Sequence, residues 1–506
     1  MAAATTGAAL YAAAVAVGSL RRPMFEDQAV LAYMGYLVTH GWVPYRDFFD
    51  MNTAGAHLAS AAVGWVSGFT EGGARAVDLA WLALLLWLTR ALLRPLDRAA
   101  ARAAVALTAA IYLSGGLSWA LEREALLLPF VAAACLIECR TANRPPPRTG
   151  SPFLAAVVAG VLIGVAVTIK PQAWIFAVPL AAHAWWRTRR WLAPIGLAGG
   201  TLVAPAAVLM WLGRHQALQP FTEMAVNYWP LYNALSGDRP HLVLSAADLA
   251  WTRVVGAVTF GLHPALPLAG AALLGGRLTL GDESSSQARR SFTWLCAGMT
   301  VAAWIAVIPA AKFWAYHWWP FCYFAVLLGA QACANGVGDR HRHAALAAVV
   351  LLFAGISWSN VGPWARPPRF AFANVERIAA FLRDRAVPGD TAVPLDWMEG
   401  ALHAMLRARL LPGTPFVYDF HFSHHVSTPY IQSLRTRFLE ALDHDQPRFV
   451  IRIHRPDRFS GPDTAADFPA LEARLASRYR VALADPAFEV LERSTPSTDA
   501  AHRLHP

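Results

Sequence analysis

Several carboxylates lie at the edges of apolar segments, where charged side chains are costly and usually serve a function. Glu26 and Asp27 directly follow the first apolar segment, and Asp50 ends the aromatic loop that comes next. Glu124 immediately precedes another apolar run. These positions predict a polar site beside lipid.

Basic and aromatic side chains occupy similar positions. Arg123 precedes Glu124, Lys170 separates two apolar segments with almost no loop, and Tyr316 and His317 adjoin a further segment. A carboxylate in such a set can act as general base on an acceptor hydroxyl, and Lys or Arg can stabilise a departing phosphate. These residue types fit group transfer from a lipid-linked phosphate, but composition does not distinguish it from ion-coupled transport.

The composition identifies the chain as an integral membrane protein. Hydrophobic residues make up 56% of its 506 residues and charged residues only 15%, whereas a soluble domain carries about 25% charged residues. Lys and Arg outnumber Asp and Glu by 43 to 33. Because the arginines lie between apolar segments and form no single basic face, we attribute the surplus to cytoplasmic loops and expect no nucleic-acid partner.

Eleven segments are candidate membrane spans, each of which needs about 20 apolar residues. They are 4–20, 74–93, 103–120, 124–139, 152–169, 172–187, 191–212, 258–276, 292–310, 317–334 and 343–360. Arginine-rich hinges alternate with aromatic and acidic loops, and the positive-inside rule places the hinges in the cytoplasm. The hinges contain Arg90, Arg94, Arg98 and Arg102; Arg140, Arg144 and Arg148; Arg187, Arg189 and Arg190; Arg277, Arg289 and Arg290; and Arg340 and Arg342.

The apolar segment 54–69 tests this topology, because counting it as a span would move every later hinge to the outer side. We therefore expect it to lie along the outer interface. The N-terminus is then cytoplasmic and the C-terminus periplasmic. We expect a transmembrane domain over 1–361 and, from the return of charged residues and prolines, a small extracytoplasmic α/β domain over 362–506.

The first loop resembles a known family. Its stretches Asp27-Gln28 to Gly35, His40-Gly41 and Val43-Pro44-Tyr45-Arg46-Asp47-Phe48-Phe49-Asp50 resemble the first outer loop of the GT-C polyprenyl-phosphate-sugar glycosyltransferases. That superfamily includes protein O-mannosyltransferases, aminoarabinose transferases of lipid A and enzymes resembling rhizobial galacturonosyltransferases. Arg123-Glu124, the segment 164–171 ending in Lys170-Pro171, and Lys312 to His317 resemble later motifs of the family, in its order.

This resemblance implies roles for individual residues. Asp27 takes the place of the base that activates the acceptor, and Asp50 takes the second acidic position, which binds or orients a divalent cation in some members. Glu124 would line the site. The expected substrate- or phosphate-binding residues are Arg46, Arg123, Lys170, Tyr316 and His317.

Two departures from the family pattern leave alternatives open. Met51-Asn52-Thr53-Ala54 stands where the family usually has a Lys-Pro-Pro sequence, which weakens any claim on donor phosphate in that loop. The acidic pair reads Glu26-Asp27, the reverse of the common order, so Glu26 is the alternative base.

Other polar residues have simpler interpretations. Arg46 and Asp47 can pair with each other, and an acid such as Glu122 suits a solvent-exposed helix start. Lys312 fits a membrane anchor as well as a ligand, and Tyr228, Trp229 and Tyr232 of the loop 227–235 fit an interfacial belt or a sugar-stacking surface. Asp419, His421, His424 and His425 resemble a metal cluster without the usual ligand spacing.

The sequence thus predicts a polytopic α-helical membrane protein of GT-C type in the bacterial inner membrane. The expected reaction is inverting transfer of a monosaccharide from a polyprenyl-phosphate donor to an envelope glycan, lipid or protein at the periplasmic face. We expect no nucleotide cofactor, because no glycine-rich phosphate loop is apparent. A transporter or lipid translocase and an envelope-assembly scaffold are the competing interpretations.

Overall fold

The computed structural model is mainly helical, with one small sheet near its C-terminal end. It describes residues 2–24, 27–142, 151–235, 245–262, 266–282, 285–309, 312–334, 342–359, 371–454, 463–464 and 467–494. Glu26 and the expected domain boundary at 361/362 lie outside these ranges. The division into two domains therefore stays a prediction.

Fifteen helices precede the described C-terminal region. They are α1 (Ala2–Ser19), α2 (Asp27–Thr39), α3 (Ala54–Ser67), α4 (Glu71–Leu93), α5 (Arg98–Ser114), α6 (Arg123–Ala142), α7 (Ser151–Ile169), α8 (Ala177–Thr188), α9 (Leu192–Arg214), α10 (Leu218–Asn233), α11 (Ala246–Leu262), α12 (Leu266–Leu280), α13 (Gln287–Val307), α14 (Trp319–Gly329) and α15 (Arg342–Ser359). Short 3₁₀ turns over Gly116–Trp119, Pro171–Phe176, Ala315–Trp318 and Ala330–Cys333 connect several of them.

Four helices of the described chain are long and apolar enough to cross a membrane: α4, α7 over Pro152–Ile169, α9 and α13. Apolar side chains on their surfaces remain exposed, among them Trp87, Leu202 and Trp294. Lipid can cover such surfaces at no hydrophobic cost. The fold is therefore that of a multi-pass membrane protein, and the number of eleven spans stays a prediction.

Several predicted segments differ from the structure. Segment 103–120 is α-helical only to Ser114, and segment 317–334 contains the short helix α14 between two 3₁₀ turns. Segment 172–187 is divided into the 3₁₀ turn Pro171–Phe176 and the short helix α8. Segment 258–276 runs across the end of α11 and the start of α12, and residues 263–265 lie outside the described chain. Residues 227–233 were expected in a loop, but they continue α10 with Pro230 inside the helix.

Glycines bring α7 and α9 into close contact. A Cβ on Gly160 would lie 2.1 Å from the carbonyl oxygen of Leu197, and one on Gly200 would lie 2.2 Å from that of Val157. Small residues permit this approach of two backbones in membrane helices. The packing fixes the direction of α7, and Lys170 follows directly at its end.

The C-terminal region contains helices α16 (Ala371–Arg385), α17 (Ala401–Ala408), α18 (Pro429–Asp445) and α19 (Pro469–Arg478). Its strands are β1 (Thr391–Leu395), β2 (Leu411–Pro412), β3 (Phe449–Ile453), β4 (Tyr479–Asp485) and β5 (Phe488–Arg493), in the order β2-β1-β3-β5-β4. β1 is parallel to β2 and β3, whereas β5 is antiparallel to β3 and β4. The predicted α/β character of this region is confirmed.

The sheet packs against the membrane part through both faces. Side chains alternate along a strand, so Phe449 and Ile451 of β3 pack in a core with α2, α16 and α17, while Val450 packs with α18 and the loop after α2. Tyr33 of α2, fully buried, donates its hydroxyl to the carbonyl of Leu410 at 2.9 Å. The sheet therefore covers the segment that carries Asp27 and Asp50.

Candidate active site

Asp27 is the first residue of α2 and lies at the centre of a polar cluster. Its Oδ2 accepts a hydrogen bond from the hydroxyl of Tyr316 at 3.1 Å and lies 3.8 Å from Nη2 of Arg123. The side chain of Asp27 is 17% exposed, so it is accessible to a substrate hydroxyl.

The surroundings of Asp27 raise its pKa above the usual aspartate value. Burial is the largest cause, because it disfavours the charged carboxylate. Arg123 and the Tyr316 hydrogen bond act in the opposite direction, and the charges of Glu124 and Asp50 raise the pKa further. A raised pKa makes the ionised carboxylate a stronger base.

A buried network behind Asp27 holds the start of α2 in place. Gln28 donates through Nε2 to the carbonyl of Ala120 and accepts through Oε1 from Arg75. Asp78 accepts from the hydroxyl of Tyr112 at 2.5 Å and from the backbone N–H of residue 121 at 3.1 Å. The spacing of these residues in the sequence does not predict this network. The sequence does contain a sign of the network, because Arg75 and Asp78 are charged residues within the apolar segment of α4.

Glu124 and Lys170 form an ion pair at the meeting of α6 and α7. The Nζ of Lys170 donates to Oε1 of Glu124, and Nε2 of His317 lies 3.6 Å from the same oxygen. All three side chains are at most 15% exposed. Burial, the largest influence, lowers the pKa of Lys170, while Glu124 acts to raise it. A cavity lined by these three residues continues between the apolar side chains of Phe176 and Val307.

Arg123 connects the acidic loop to the rest of the cluster. Its Nη1 donates to Oδ1 of Asn52, and its Nη2 points toward Asp27. Its Nε is buried and has no hydrogen-bond partner within the described residues. The guanidinium therefore retains a donor for an anionic ligand. In the sequence, Asn52 stands out only as a departure from the family pattern, and its contact with Arg123 is not predicted.

Glu122 is buried, and the expected solvent exposure was wrong. Burial and, next, the charge of Asp27 raise the pKa of Glu122 well above its usual range. The raised pKa favours the neutral form of Glu122, which adds no negative charge to the cluster.

The side chain of Asp50 is fully buried beside this cluster and has its own, separate set of contacts. Its carboxylate accepts hydrogen bonds from Tyr418 and from the backbone N–H of Asn52 at 3.0 Å, and Nε2 of His57 lies 3.1 Å from Oδ2. Burial alone would raise the pKa of Asp50, but His57, Tyr418 and Asn52 outweigh it and lower the pKa to about 2. The lowered pKa favours the ionised form of Asp50 at neutral pH.

The residues around Asp50 do not fit the divalent cation that the family resemblance implies there. Hard cations take six or more oxygen ligands, whereas Asp50 is already engaged by Tyr418, Asn52 and His57. Within the described residues, no group of three His, Cys, Asp or Glu side chains could hold a metal. We derive no catalytic step through a metal.

The structure brings together Asp27, Arg123, Glu124, Lys170, Tyr316 and His317. Arg46 does not join them: it is 40% exposed, pairs with Asp47 at 2.7 Å and donates to the carbonyl of His215 at 3.2 Å. Its role in substrate binding stays a prediction. The simpler interpretation, an Arg46–Asp47 pair that fixes the loop, describes its geometry.

Lys312 and the aromatic residues of α10 have structural contacts. Lys312 is buried, donates to the carbonyls of Tyr232 and Leu235, and lies 4.5 Å from the ring centroid of Tyr232. Burial lowers the pKa of Lys312 to about 7. Tyr228 is buried against Phe49, and Trp229 donates to the carbonyl of Met51 at 2.8 Å, so both hold the loop.

The histidines after β2 pack among aromatic rings. His421 lies 4.6 Å from the ring of Phe49 and 4.5 Å from that of Tyr418, measured between centroids. Nε2 of His425 lies 3.0 Å from the carbonyl oxygen of Leu231. In the described part of the chain these contacts do not form a metal centre.

A membrane helical domain, an acidic loop after its first helix and a C-terminal mixed sheet define a GT-C fold, and the predicted fold is confirmed. The aminoarabinose transferase ArnT from Cupriavidus metallidurans bound to undecaprenyl phosphate is similar, with a TM-score of 0.57, 13% sequence identity, and coverage of 96% of this chain and 98% of ArnT. Its apo form has a TM-score of 0.56, 12% identity, and coverage of 97% and 98%.

A more distant likeness is to the archaeal oligosaccharyltransferase AglB from Archaeoglobus fulgidus, solved with an inhibitory peptide and a dolichol-phosphate. It has a TM-score of 0.51 and 13% identity, and the match covers 89% of this chain and 69% of AglB. No family model and no curated protein matches the sequence. Since a shared fold does not establish activity, the function is argued from the site.

Proposed function

We propose that the protein is a glycosyltransferase of the bacterial inner membrane that transfers a monosaccharide from a polyprenyl-phosphate donor. The observation that carries the proposal is the convergence of Asp27, Arg123, Glu124, Lys170 and His317 at one end of the helices. A base, two cations and an apolar cavity beside them match the parts of such a donor and its acceptor. ArnT, solved with undecaprenyl phosphate, and AglB, solved with dolichol-phosphate, have the same fold.

The chemistry follows from the positions of these groups. Asp27 takes the proton of an acceptor hydroxyl, and the oxygen attacks the anomeric carbon as the bond to the phosphate oxygen breaks. Arg123 and Lys170 stabilise the phosphate as it leaves with the bonding electron pair. A single displacement of this kind inverts the anomeric configuration.

The donor chain would lie along the apolar side chains next to the cavity, whose own volume of about 20 Å³ has room for little more than a water molecule. Phe176 and Val307 line the cavity next to Lys170, so a phosphate at the lysine would leave its isoprenoid in contact with apolar side chains. The acceptor, an envelope glycan, lipid or protein, would approach Asp27 at the periplasmic face. In this arrangement Asp50 fixes the loop and takes no part in the displacement.

The experiment compares envelope glycans and lipids of a deletion strain with those of its parent by mass spectrometry, then complements the deletion. Wild-type protein should restore the missing sugar. Asp27→Asn should lower the transfer rate at least about 100-fold, which is the low end of general-base contributions. The matched control is Glu223→Gln, an acid on α10 that is 47% exposed and pairs only with Arg437 in the described structure.

Glu223→Gln should restore the sugar to the parental level. Full restoration by Asp27→Asn at equal protein abundance would remove Asp27 as the base. An unchanged envelope in the deletion strain would contradict the proposed transfer itself.

A further inference from the structure

A groove runs along the membrane part on the surface formed by α1, α4 and α5, and it has a volume of about 1080 Å³. Ala13 and Leu86 are among the small and apolar side chains that line it. Arg90, Arg94, Arg98 and Arg102 line it as well, and they surround the connection between α4 and α5. The groove is therefore apolar along the helices and strongly basic at one end.

The basic end lies far from the candidate active site. Helix α4 begins at Glu71, near the network that holds Asp27, and Arg90 follows about 28 Å further along its axis. A ligand whose phosphate contacts these arginines cannot place that phosphate near Arg123 or Lys170. The groove is a second, separate site.

The four arginines are available to an anion. All four are exposed, and within the described residues no ion pair engages them. Asp97, the acid between them in sequence, accepts hydrogen bonds from the backbone N–H groups of Ala99 and Ala100 and caps α5. The basic end thus carries a concentrated positive charge.

The apolar part of the groove along α4 matches one half of a bilayer in length. From Leu79 to Arg90 along α4 the axial distance is about 16 Å, and the hydrocarbon core of one leaflet is about 15 Å thick. An acyl chain that starts at the arginines would end near Leu79, close to the middle of the membrane.

We propose that this groove binds an anionic glycerophospholipid of the leaflet opposite the candidate active site. The lipid phosphate contacts Arg94, Arg98 and their two neighbours, and an acyl chain lies between α1, α4 and α5. Charge complementarity selects this occupant, because basic pockets between membrane helices recognise anionic headgroups. The proposal concerns binding alone and does not depend on the transferase activity.

The test titrates delipidated, full-length protein with phosphatidylglycerol or phosphatidylcholine and counts bound lipids by native mass spectrometry. Wild-type protein should bind phosphatidylglycerol more than 10-fold more tightly than phosphatidylcholine. Arg94→Gln/Arg98→Gln should lower phosphatidylglycerol affinity about 30-fold, as expected for two basic residues beside an anionic headgroup. The control Arg189→Gln/Arg190→Gln removes two exposed arginines from another hinge and should keep the wild-type affinity.

A second variant keeps the charges and fills the groove. Ala13 is exposed in the groove wall, so Ala13→Trp should reduce binding of both lipids without a change of charge. Equal affinity for the two lipids, or equal phosphatidylglycerol binding by the two arginine double variants, would overturn the proposal. A dimer that appears in place of lipid adducts would show that a second protein copy covers the groove.

Discussion

The carboxylate of Asp27 has a raised pKa even though Tyr316 donates a hydrogen bond to it and Arg123 lies nearby. Burial outweighs both contacts and increases the basicity of the group. Because only the ionised form can take a proton, transfer should be lost as the pH falls through this raised pKa. The acidic side of the pH–activity profile therefore reports the state of Asp27.

Tyr316→Phe should move the acidic limb of the kcat/KM profile to higher pH. The hydroxyl of Tyr316 stabilises the charged form of Asp27, so its loss raises the pKa further and less of the base is ionised at a given pH. The measurement is transfer rate against pH with purified protein. A limb that stays in place, or moves to lower pH, would contradict the role of Tyr316.

The control is Tyr430→Phe on α18, because Tyr430 lies in a different cluster, where the nearest charges that act on it are Glu223 and Arg437. Its acidic limb should coincide with that of the wild-type protein. A shift in both variants would indicate a general change in the enzyme and not a change at Asp27.

At the residue scale, the sequence predicted side chains that meet, but it also placed Arg46 and Asp50 among them and did not predict what supports the cluster. Asp27, Arg123, Glu124, Lys170 and His317 were found because each lies at an apolar boundary, which is a local signal. The supporting contacts depend on long-range packing that spacing does not reveal. Gln28 reaches Ala120, 92 residues away, and Arg75 reaches Gln28, 47 residues away.

Helices α7 and α9 position Lys170 through close backbone contact. The carbonyl of Val157 occupies the space that a Cβ on Gly200 would need, whereas a Cβ on the neighbouring Gly199 would have nothing within 4 Å. Both glycines lie in α9, so alanine at either position changes helix propensity in the same way. Only alanine at position 200 also changes the packing against α7.

Gly200→Ala should destabilise the protein by about 1–3 kcal/mol, the usual cost of overpacking, and should lower transfer because the end of α7 carries Lys170. Gly199→Ala should cause neither loss, since alanine is the better helix former. Thermal unfolding in detergent and the transfer assay measure the two effects. Equal stability of the two variants would contradict the proposed contact between α7 and α9.

Helix boundaries were the least predictable elements, and a proline lies at two of the differences. Pro171 starts a 3₁₀ turn that shortens the predicted span 172–187 to α8. The predicted loop 227–235 is helical as far as Asn233, because α10 continues through Pro230. Proline removes one backbone donor. Whether a helix tolerates that loss depends on surrounding packing that the local sequence does not contain.

For the whole molecule, the orientation in the membrane decides which compartment the site faces. Arg46 belongs to the loop between Asp27 and Asp50. Arg189 directly follows the last residue of α8, at the end of that helix farther along the chain from Lys170. Both side chains are exposed. They mark opposite ends of the helical domain.

The orientation can be tested after replacing Cys135, Cys139, Cys296, Cys322 and Cys333 by alanine. In that background Arg46→Cys should react with a membrane-impermeant maleimide in intact spheroplasts, because the positive-inside rule puts this loop outside. Arg189→Cys should react only after lysis. The reverse pattern would place Asp27 in the cytoplasm and contradict transfer at the periplasmic face.

The hydrogen bond between Tyr418 and Asp50 joins residues 368 positions apart. Translation runs from the N-terminus to the C-terminus, so the first loop leaves the ribosome long before the tyrosine that anchors it. A nascent or truncated chain that ends before residue 416 lacks this anchor, together with the aromatic contacts of Phe416 and His421 on Phe49. Completion of synthesis thus becomes a condition for anchoring the loop that carries Asp50.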